Sequence, residues 1–189
     1  GSEMCIRDSF TSIYTMVDGV FVAQFVSVDA LSALNIVNPL FSLVMGFGVM
    51  LGAGGSAVIA KNIGEGEEQQ AFDNLSTLVF FGTILGLVLM VLLLVFMEPI
   101  LSLLGATEIL MPYCKEYCYY IVGFLAPWVL ELMFSSYFIT AGKPQIGLIA
   151  TLCSGVFNIV GDYVLIVVVG MGIRGAALAT GLATCIPVV

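Results

Sequence analysis

The residues LSTLVFFGTILGLVLMVLLLVFM, at positions 75–97, contain no charged side chain. An α-helix rises about 1.5 Å per residue, so this stretch is long enough to cross the roughly 30 Å hydrocarbon core of a bilayer. A helix on the surface of a water-soluble protein needs a polar face, and this stretch has no charged residue from which to build one. The stretch therefore predicts a transmembrane helix, and it places the chain among the integral membrane proteins.

Apolar stretches of similar character fill most of the remaining chain. The predicted spans are residues 10–28, 34–60, 75–97, 117–141, 146–169 and 175–189. The last one would rise only about 22 Å, which is short for a bilayer crossing. Short connections separate the spans, and helices joined in this way pack side by side in a bundle. We predict an all-α integral membrane fold, a six-helix transmembrane bundle whose first and sixth helices are truncated.

Composition narrows the class of protein further. The chain is 60% hydrophobic and 10% charged, with a net charge of −8 and no histidine. Since basic patches are absent, nucleic acid is not an expected partner. No nucleophile–base constellation can be read, so we predict that the protein is not an enzyme. Cys114 and Cys118 are one helical turn apart, which allows a redox pair but is more typical of small apolar fillers.

The chain begins with a polar segment, residues 1–9 (GSEMCIRDS). A signal peptide would have a basic start and a cleavage site after a short apolar run, and this segment has neither. It resembles translated adapter sequence, so we predict a non-native leader at residues 1–9 and a transmembrane lobe at residues 10–189. Lysine and arginine are divided evenly between alternate loops, so the positive-inside rule returns no orientation.

Carboxylates at membrane depth are the most informative positions. An aspartate at the centre of a span costs about 2.5–3.5 kcal/mol on insertion scales, so such residues normally face a cavity or a partner. Asp162 lies in the fifth span with Asn158 one turn before it, and Asp18 lies in the first span with Tyr14 one turn before it. Two carboxylates brought together inside a bundle would not both ionise easily, which is the property that a cation-coupled carrier needs. We predict functional roles for Asp18 and Asp162, although capping of a helix break is the alternative.

Two other positions stand out in the spans. Glu131 follows Pro127 by one turn in the fourth span, where it could attract a cationic substrate or face a polar loop. Pro39 frees a backbone carbonyl in the second span, which predicts a kink or a hinge. The spans also contain pairs of glycines one turn apart. Such pairs allow close packing of helices in lipid, and we favour this packing role for them over a role in gating. These pairs are Gly48 with Gly52 and Gly82 with Gly86.

Five sequence motifs follow one another along the chain in a characteristic order. They are residues 16–39 (MVDGVFVAQFVSVDALSALNIVNP), 52–64 (GAGGSAVIAKNIG), 141–144 (AGKP), 158–162 (NIVGD) and 172–180 (GIRGAALAT). This order resembles the multidrug and toxic compound extrusion (MATE) family, most closely its DinF-like bacterial branch. The resemblance extends from about residue 10 to the end of the chain.

The resemblance implies a fold of two six-helix lobes, of which this chain would be the N-terminal one. It implies a coupling cation, H⁺ or Na⁺, bound by Asp18, Asn158, Asp162 and Thr180, with Tyr14 nearby. No other cofactor is implied, and no metal beyond Na⁺. The implied function is export of small cationic or amphipathic compounds across the bacterial inner membrane by a multi-pass protein embedded in the lipid bilayer.

The chain departs from the family pattern because the C-terminal lobe of the same polypeptide is missing from it. One lobe alone has no partner against which to rock, so we expect no transport by this chain by itself. A lipid-linked oligosaccharide flippase of the same superfold is an alternative, but it would need basic residues in the cavity, and no span here contains one. A membrane scaffold without transport is a further alternative, in which Asp18 and Asp162 would lie apart.

Overall fold

The computed structural model describes residues 2–188, without the side chains of residues 2–5, 7 and 8. The described part of the chain is helical apart from short connections and contains no strand. Its α-helices are α1 (Ser2–Phe25), α2 (Val28–Gly64), α3 (Glu68–Leu103), α4 (Met111–Ile121), α5 (Leu125–Thr140), α6 (Pro144–Asp162) and α7 (Ile173–Cys185). Two 3₁₀ turns, Val122–Phe124 and Ile186–Val188, and one π-helical segment, Tyr163–Val168, complete the chain.

These elements form six helical rods, as predicted, because α4 and α5 are two parts of one rod. The 3₁₀ turn between them has a local cause: Pro127 has no N–H to donate to the carbonyl of Gly123, four residues earlier. Four rods of the described chain are long and apolar enough to cross a membrane, and Ile173–Val188 is a shorter apolar helix. The four are Val28–Gly64, Glu68–Leu103, Met111–Thr140 and Pro144–Val168.

The helices extend beyond the apolar stretches from which the spans were predicted. α2 begins at Val28 rather than at residue 34, because the Ser27 hydroxyl oxygen accepts a hydrogen bond from the Ala30 N–H at 3.0 Å and caps the helix there. α3 continues to Leu103, well past residue 97, with one non-helical residue at Phe96 (φ −107°, ψ 19°) shortly before Pro99. Apolarity marks the part of a helix inside the hydrocarbon, and the polar end turns outside it remain helical.

The rods pack in two groups of three. α2, α3 and α5 form one group, α1, α6 and α7 form the other, and α4 contacts both α2 and α7. Both predicted glycine pairs lie at contacts with α5. A β-carbon at Gly86 would lie 2.4 Å from the Ala126 Cα, and one at Gly48 would lie 2.7 Å from Leu132 Cδ1. The pairs therefore serve ordinary close packing of helices, as expected.

The outer surface of the bundle is apolar. The exposed side chains of α3 include Phe80, Phe81, Leu92 and Val95, which is the surface that lipid requires. At the end of the bundle where α3 ends and α4 and α7 begin, Lys115 pairs with Glu98 and Arg174 pairs with Glu116. The charged side chains thus lie where the headgroup region would be.

Two further predictions concern the polar leader and the two cysteines of α4. Most side chains of the predicted leader, residues 1–9, lie outside the described set, so the leader stays a prediction. Cys114 and Cys118 are both buried and both free, in keeping with their role as small apolar fillers. The Cys114 thiol donates to the Ala33 carbonyl at 3.8 Å, which ties α4 to α2.

Candidate cation-binding site

The four residues predicted to bind a cation meet between α1, α6 and α7. Asp18 is on α1, Asn158 and Asp162 are one turn apart on α6, and Thr180 is on α7. The Asp18 and Asp162 carboxyl groups are close enough to each other to interact electrostatically. The Asn158 Nδ2 donates a hydrogen bond to the Thr180 Oγ1 at 3.2 Å. The structure therefore brings all four side chains into one polar cluster inside the bundle.

Glycines let these three helices approach closely enough for the cluster to form. A β-carbon at Gly161, beside Asp162, would lie 3.0 Å from the Ala179 Cβ, beside Thr180. On the other side of α6, a β-carbon at Gly155 would lie 2.5 Å from Phe10 Cε1 on α1. Both separations are shorter than an ordinary carbon–carbon contact of about 3.5–4.0 Å. Side chains at these positions would push α1 and α7 away from the acidic residues on α6.

The cluster holds buried oxygen atoms that have no donor. Asp162 is 0% exposed and Asn158 is 2% exposed. Both carboxyl oxygens of Asp162, the Asn158 Oδ1 and the Asp18 Oδ1 have no hydrogen-bond partner. Two ionised carboxylates are acceptors only, so their contact is favourable only when a proton or another cation lies between them. The donor set, two carboxylates with an amide and a hydroxyl oxygen, suits a hard monovalent cation or a shared proton.

The amide of Asn158 is oriented for such a role. Because its Nδ2 is engaged with Thr180, its Oδ1 points away from α7 and remains free to accept or to coordinate. Within the described residues, no group of three or more histidine, cysteine, aspartate or glutamate side chains could hold a metal ion.

Sequence reasoning missed two features of the cluster. Tyr117 on α4 is 6% exposed, and it interacts electrostatically with Asp18 and Asp162, with Thr180 close to its hydroxyl. Tyrosines also occupy positions 113, 119 and 120, and nothing in the pattern distinguishes Tyr117 from them. The second feature is the π-helical segment Tyr163–Val168, which begins immediately after Asp162 and has no sequence signature. Such segments are frequent at functional sites because they loosen the backbone hydrogen-bond ladder.

The three remaining predicted residues take different places. Tyr14 interacts electrostatically with both Asp18 and Glu131, and its role near the site stays a prediction. Glu131 on α5 interacts electrostatically with Tyr14 and with the thiol of Cys185, and it is not one of the four clustered residues. Pro39 is exposed, and α2 continues through it from Val28 to Gly64. The role of Pro39 as a kink or hinge stays a prediction.

Comparison with known proteins shows the family to which this fold belongs. The MatE family model matches residues 4–164. The multidrug export protein MepA of Staphylococcus haemolyticus is 29% identical over 185 residues, covering 97% of this chain and 40% of that protein. MepA of Staphylococcus aureus is also 29% identical, over 181 residues, covering 95% of this chain and 40% of that protein.

A solved structure shows the same fold. A multidrug resistance MATE family transporter of the MOP superfamily, in an outward-facing conformation, superposes with a TM-score of 0.90 at 24% identity, covering 98% of this chain and 41% of that one. The chain thus spans about 40% of the length of the curated relatives that it matches. With a family model matched over most of its residues and six helices packed as in one lobe of these transporters, the chain belongs to the MatE family of multi-pass membrane proteins.

Proposed function

We propose that this chain is the N-terminal lobe of a secondary active multidrug exporter of the bacterial inner membrane. In this proposal the complete protein exports small cationic or amphipathic compounds in exchange for H⁺ or Na⁺. Asp18, Asn158, Asp162 and Thr180 bind the coupling cation. The observation that carries the proposal is the contact between Asp18 and a fully buried Asp162 whose two oxygens have no donor. A pair of this kind is costly in a membrane unless a cation occupies it.

Each side chain has a defined task in this mechanism. Asp18 and Asp162 hold the cation between α1 and α6, so its arrival draws the two helices together and its departure leaves two carboxylates that repel. Asn158 contributes its free Oδ1, and Thr180 holds the Asn158 amide in place. Tyr117 brings α4 next to the same hydroxyl and interacts electrostatically with both aspartates. Cation binding therefore acts on the relative positions of α1, α4, α6 and α7.

The driving force is sufficient for such a function. One elementary charge moving down a 100 mV membrane potential provides about 2.3 kcal/mol, which corresponds to roughly a 50-fold gradient of a neutral substrate. Alternating access needs a second lobe, and the curated relatives are long enough to contain one. We therefore propose the C-terminal lobe of the same polypeptide as the structural partner of this chain.

A cation-binding assay on the purified chain tests the proposal without requiring transport. The chain is placed in phosphatidylcholine nanodiscs, and binding of ²²Na⁺ and proton uptake are measured on the wild type and on Asp162→Asn. Asp73→Asn is the matched control, because Asp73 is exposed at the polar end of α3. We expect Asp162→Asn to abolish saturable cation uptake and Asp73→Asn to retain it. Equal uptake by both variants would overturn the proposal.

A further inference from the structure

A groove opens at the end of the bundle where α2 and α5 end and α3 and α6 begin. Its volume is about 860 Å³, and ligand sites in proteins have volumes of roughly 300–1,000 Å³. α5 contacts both α3 and α6, and all three helices contribute side chains to the lining. Because α3 and α6 belong to different groups of three rods, the groove marks a join between the two halves of the bundle.

The lining of α3 and the lining of α6 have the same order of side chains. On α3 it begins with Glu68, the first residue of the helix, and reaches Leu75. On α6 it begins with Lys143, the residue before the helix, and reaches Ala150. The other lining residues of both stretches are apolar. Each helix therefore presents one charge at the end of the bundle and apolar side chains over the next seven residues, about 10 Å of helix.

The two charges at the rim have opposite signs and are unpaired. Among the described residues that line the groove, Glu68 and Lys143 are the charged ones, and neither forms an ion pair with another described residue. Lys61 and Glu65 lie at the same end of the bundle, but they pair with each other at 3.9 Å and do not line the groove. The rim thus offers one free carboxylate and one free ammonium group.

The groove has the environment of a lipid site. Ile63, Phe72 and Ile146 line it and are 47%, 65% and 44% exposed, so its apolar lining continues onto the lipid-facing surface. Lysine side chains at the end of a span extend toward the headgroup layer, where Lys143 would meet phosphate. The rim therefore lies at the depth of the headgroups and the apolar part at the depth of the acyl chains.

We propose that this groove binds a phospholipid whose headgroup carries a primary ammonium, namely phosphatidylethanolamine. The phosphate pairs with Lys143, the ammonium pairs with Glu68, and an acyl chain lies along Phe134 and Phe138 of α5. A primary ammonium donates three hydrogen bonds, whereas the trimethylammonium of phosphatidylcholine has no N–H to donate to Glu68. An anionic lipid would pair with Lys143 but be repelled by Glu68. The lipid joins α3 to α6, at a site separate from the cation cluster.

Photocrosslinking tests this proposal directly. The 189-residue chain is placed in phosphatidylcholine nanodiscs with a small fraction of a phosphatidylethanolamine that carries a diazirine on one acyl chain. On illumination the diazirine loses N₂, and the carbene inserts into a neighbouring C–H bond. Crosslinked peptides are identified by mass spectrometry after digestion with pepsin. We expect crosslinks to concentrate in residues 134–141 and 143–150, whereas the exposed Phe80 and Phe81 of α3 report the background from bulk lipid.

Competition on the wild type tests the choice of headgroup. Unlabelled phosphatidylethanolamine should suppress the groove crosslinks at about fivefold lower concentration than phosphatidylcholine or phosphatidylglycerol, the effect of about one charge contact at a membrane surface. The background crosslinks at Phe80 and Phe81 should respond equally to all three lipids.

Variants test the two charges separately. Lys143→Gln and Glu68→Gln should each lower the groove crosslinks about fivefold relative to the background, whereas Lys143→Arg keeps the charge and should retain them. Lys61→Gln and Glu65→Gln are the matched controls, because both residues are exposed at the same end of the bundle and lie outside the lining. These control variants should label like the wild type.

Several results would overturn the proposal. One is crosslinking in the groove no stronger than at Phe80 and Phe81, since a second copy of the chain or another polypeptide segment would then occupy the groove. Others are phosphatidylcholine or phosphatidylglycerol that competes as well as phosphatidylethanolamine, and control variants that lose as much labelling as Lys143→Gln and Glu68→Gln. Unchanged labelling in these two variants would also contradict it. If either Gln variant fails to fold, the competition on the wild type still decides the outcome.

Discussion

The hydroxyl of Thr180 links two helices of the candidate site, and its removal should weaken the bundle by a measurable amount. Thr180 accepts a hydrogen bond from the Asn158 Nδ2 at 3.2 Å, which joins α7 to α6. The Thr180→Val substitution preserves the shape of the side chain and removes this bond. Asn158 is 2% exposed, so its amide gains no water in exchange.

Measured hydrogen bonds between membrane helices set the expected size of the effect. They contribute about 0.6 kcal/mol on average and about 1.7 kcal/mol at most. The loss of this one bond should therefore lower the free energy of unfolding of Thr180→Val by about 0.6 kcal/mol, with an upper limit of about 1.7 kcal/mol. Thr180→Ser keeps the hydroxyl, so its loss should be smaller than that of the Val variant.

Trp128 provides the signal for this measurement, because it is the only tryptophan of the chain and packs on Phe41 of α2 at 5.4 Å between ring centroids. The chain is unfolded with increasing SDS from a mild detergent, and tryptophan fluorescence reports the loss of contact between α5 and α2. If Thr180→Val proves as stable as the wild type, or more stable than Thr180→Ser, the hydrogen-bonded link between α6 and α7 is refuted.

Three further changes give equally specific expectations. Gly86→Ala should lower the free energy of unfolding by about 1–3 kcal/mol in the same SDS titration, because its β-carbon would lie 2.4 Å from the α5 backbone. Gly54→Ala is the control: its β-carbon would have nothing within 4 Å, so this variant should be neutral or stabilising. Equal stability of the two variants would contradict the packing of α3 against α5. Tyr117→Phe should lower cation affinity in an equilibrium binding assay, since it removes a hydroxyl that lies near Thr180 and interacts electrostatically with Asp18 and Asp162. An unchanged affinity would remove Tyr117 from the site. Glu116→Gln breaks an exposed pair with Arg174 and should cost less than about 1 kcal/mol, with the loss shrinking as salt is added; a larger loss that salt does not alter would contradict that assignment.

The helices were the most predictable part of this protein. Residues 75–97 contain no charge, and the corresponding helix α3 is present as expected. The ends were harder to predict, because the signal used was apolarity and the end turns are polar. α2 begins at Val28 through a hydrogen bond from the Ala30 N–H to Ser27, a local device that a hydropathy pattern does not register.

The candidate site was predictable in part. The spacing of Asn158 and Asp162 places them on one face of a helix, and the cost of burying a carboxylate singles out Asp18. Spacing alone could not show that Asp18 faces Asp162, since this depends on how α1 packs against α6, and the expectation came from the family resemblance. Tyr117 escaped notice because its place in the cluster depends on α4 packing against α7.

The central claim is that Asp18 and Asp162 hold one cation between them, and a double-mutant cycle on cation affinity tests it most directly. Binding of ²²Na⁺ and proton uptake would be measured for Asp18→Asn, Asp162→Asn and the double variant in nanodiscs, with Asp73→Asn as the control. If the two carboxylates share one cation, each single variant should lose most of the binding, and the double variant should lose little more than either. Losses that add, or two cations bound independently with one lost in each single variant, would contradict the account.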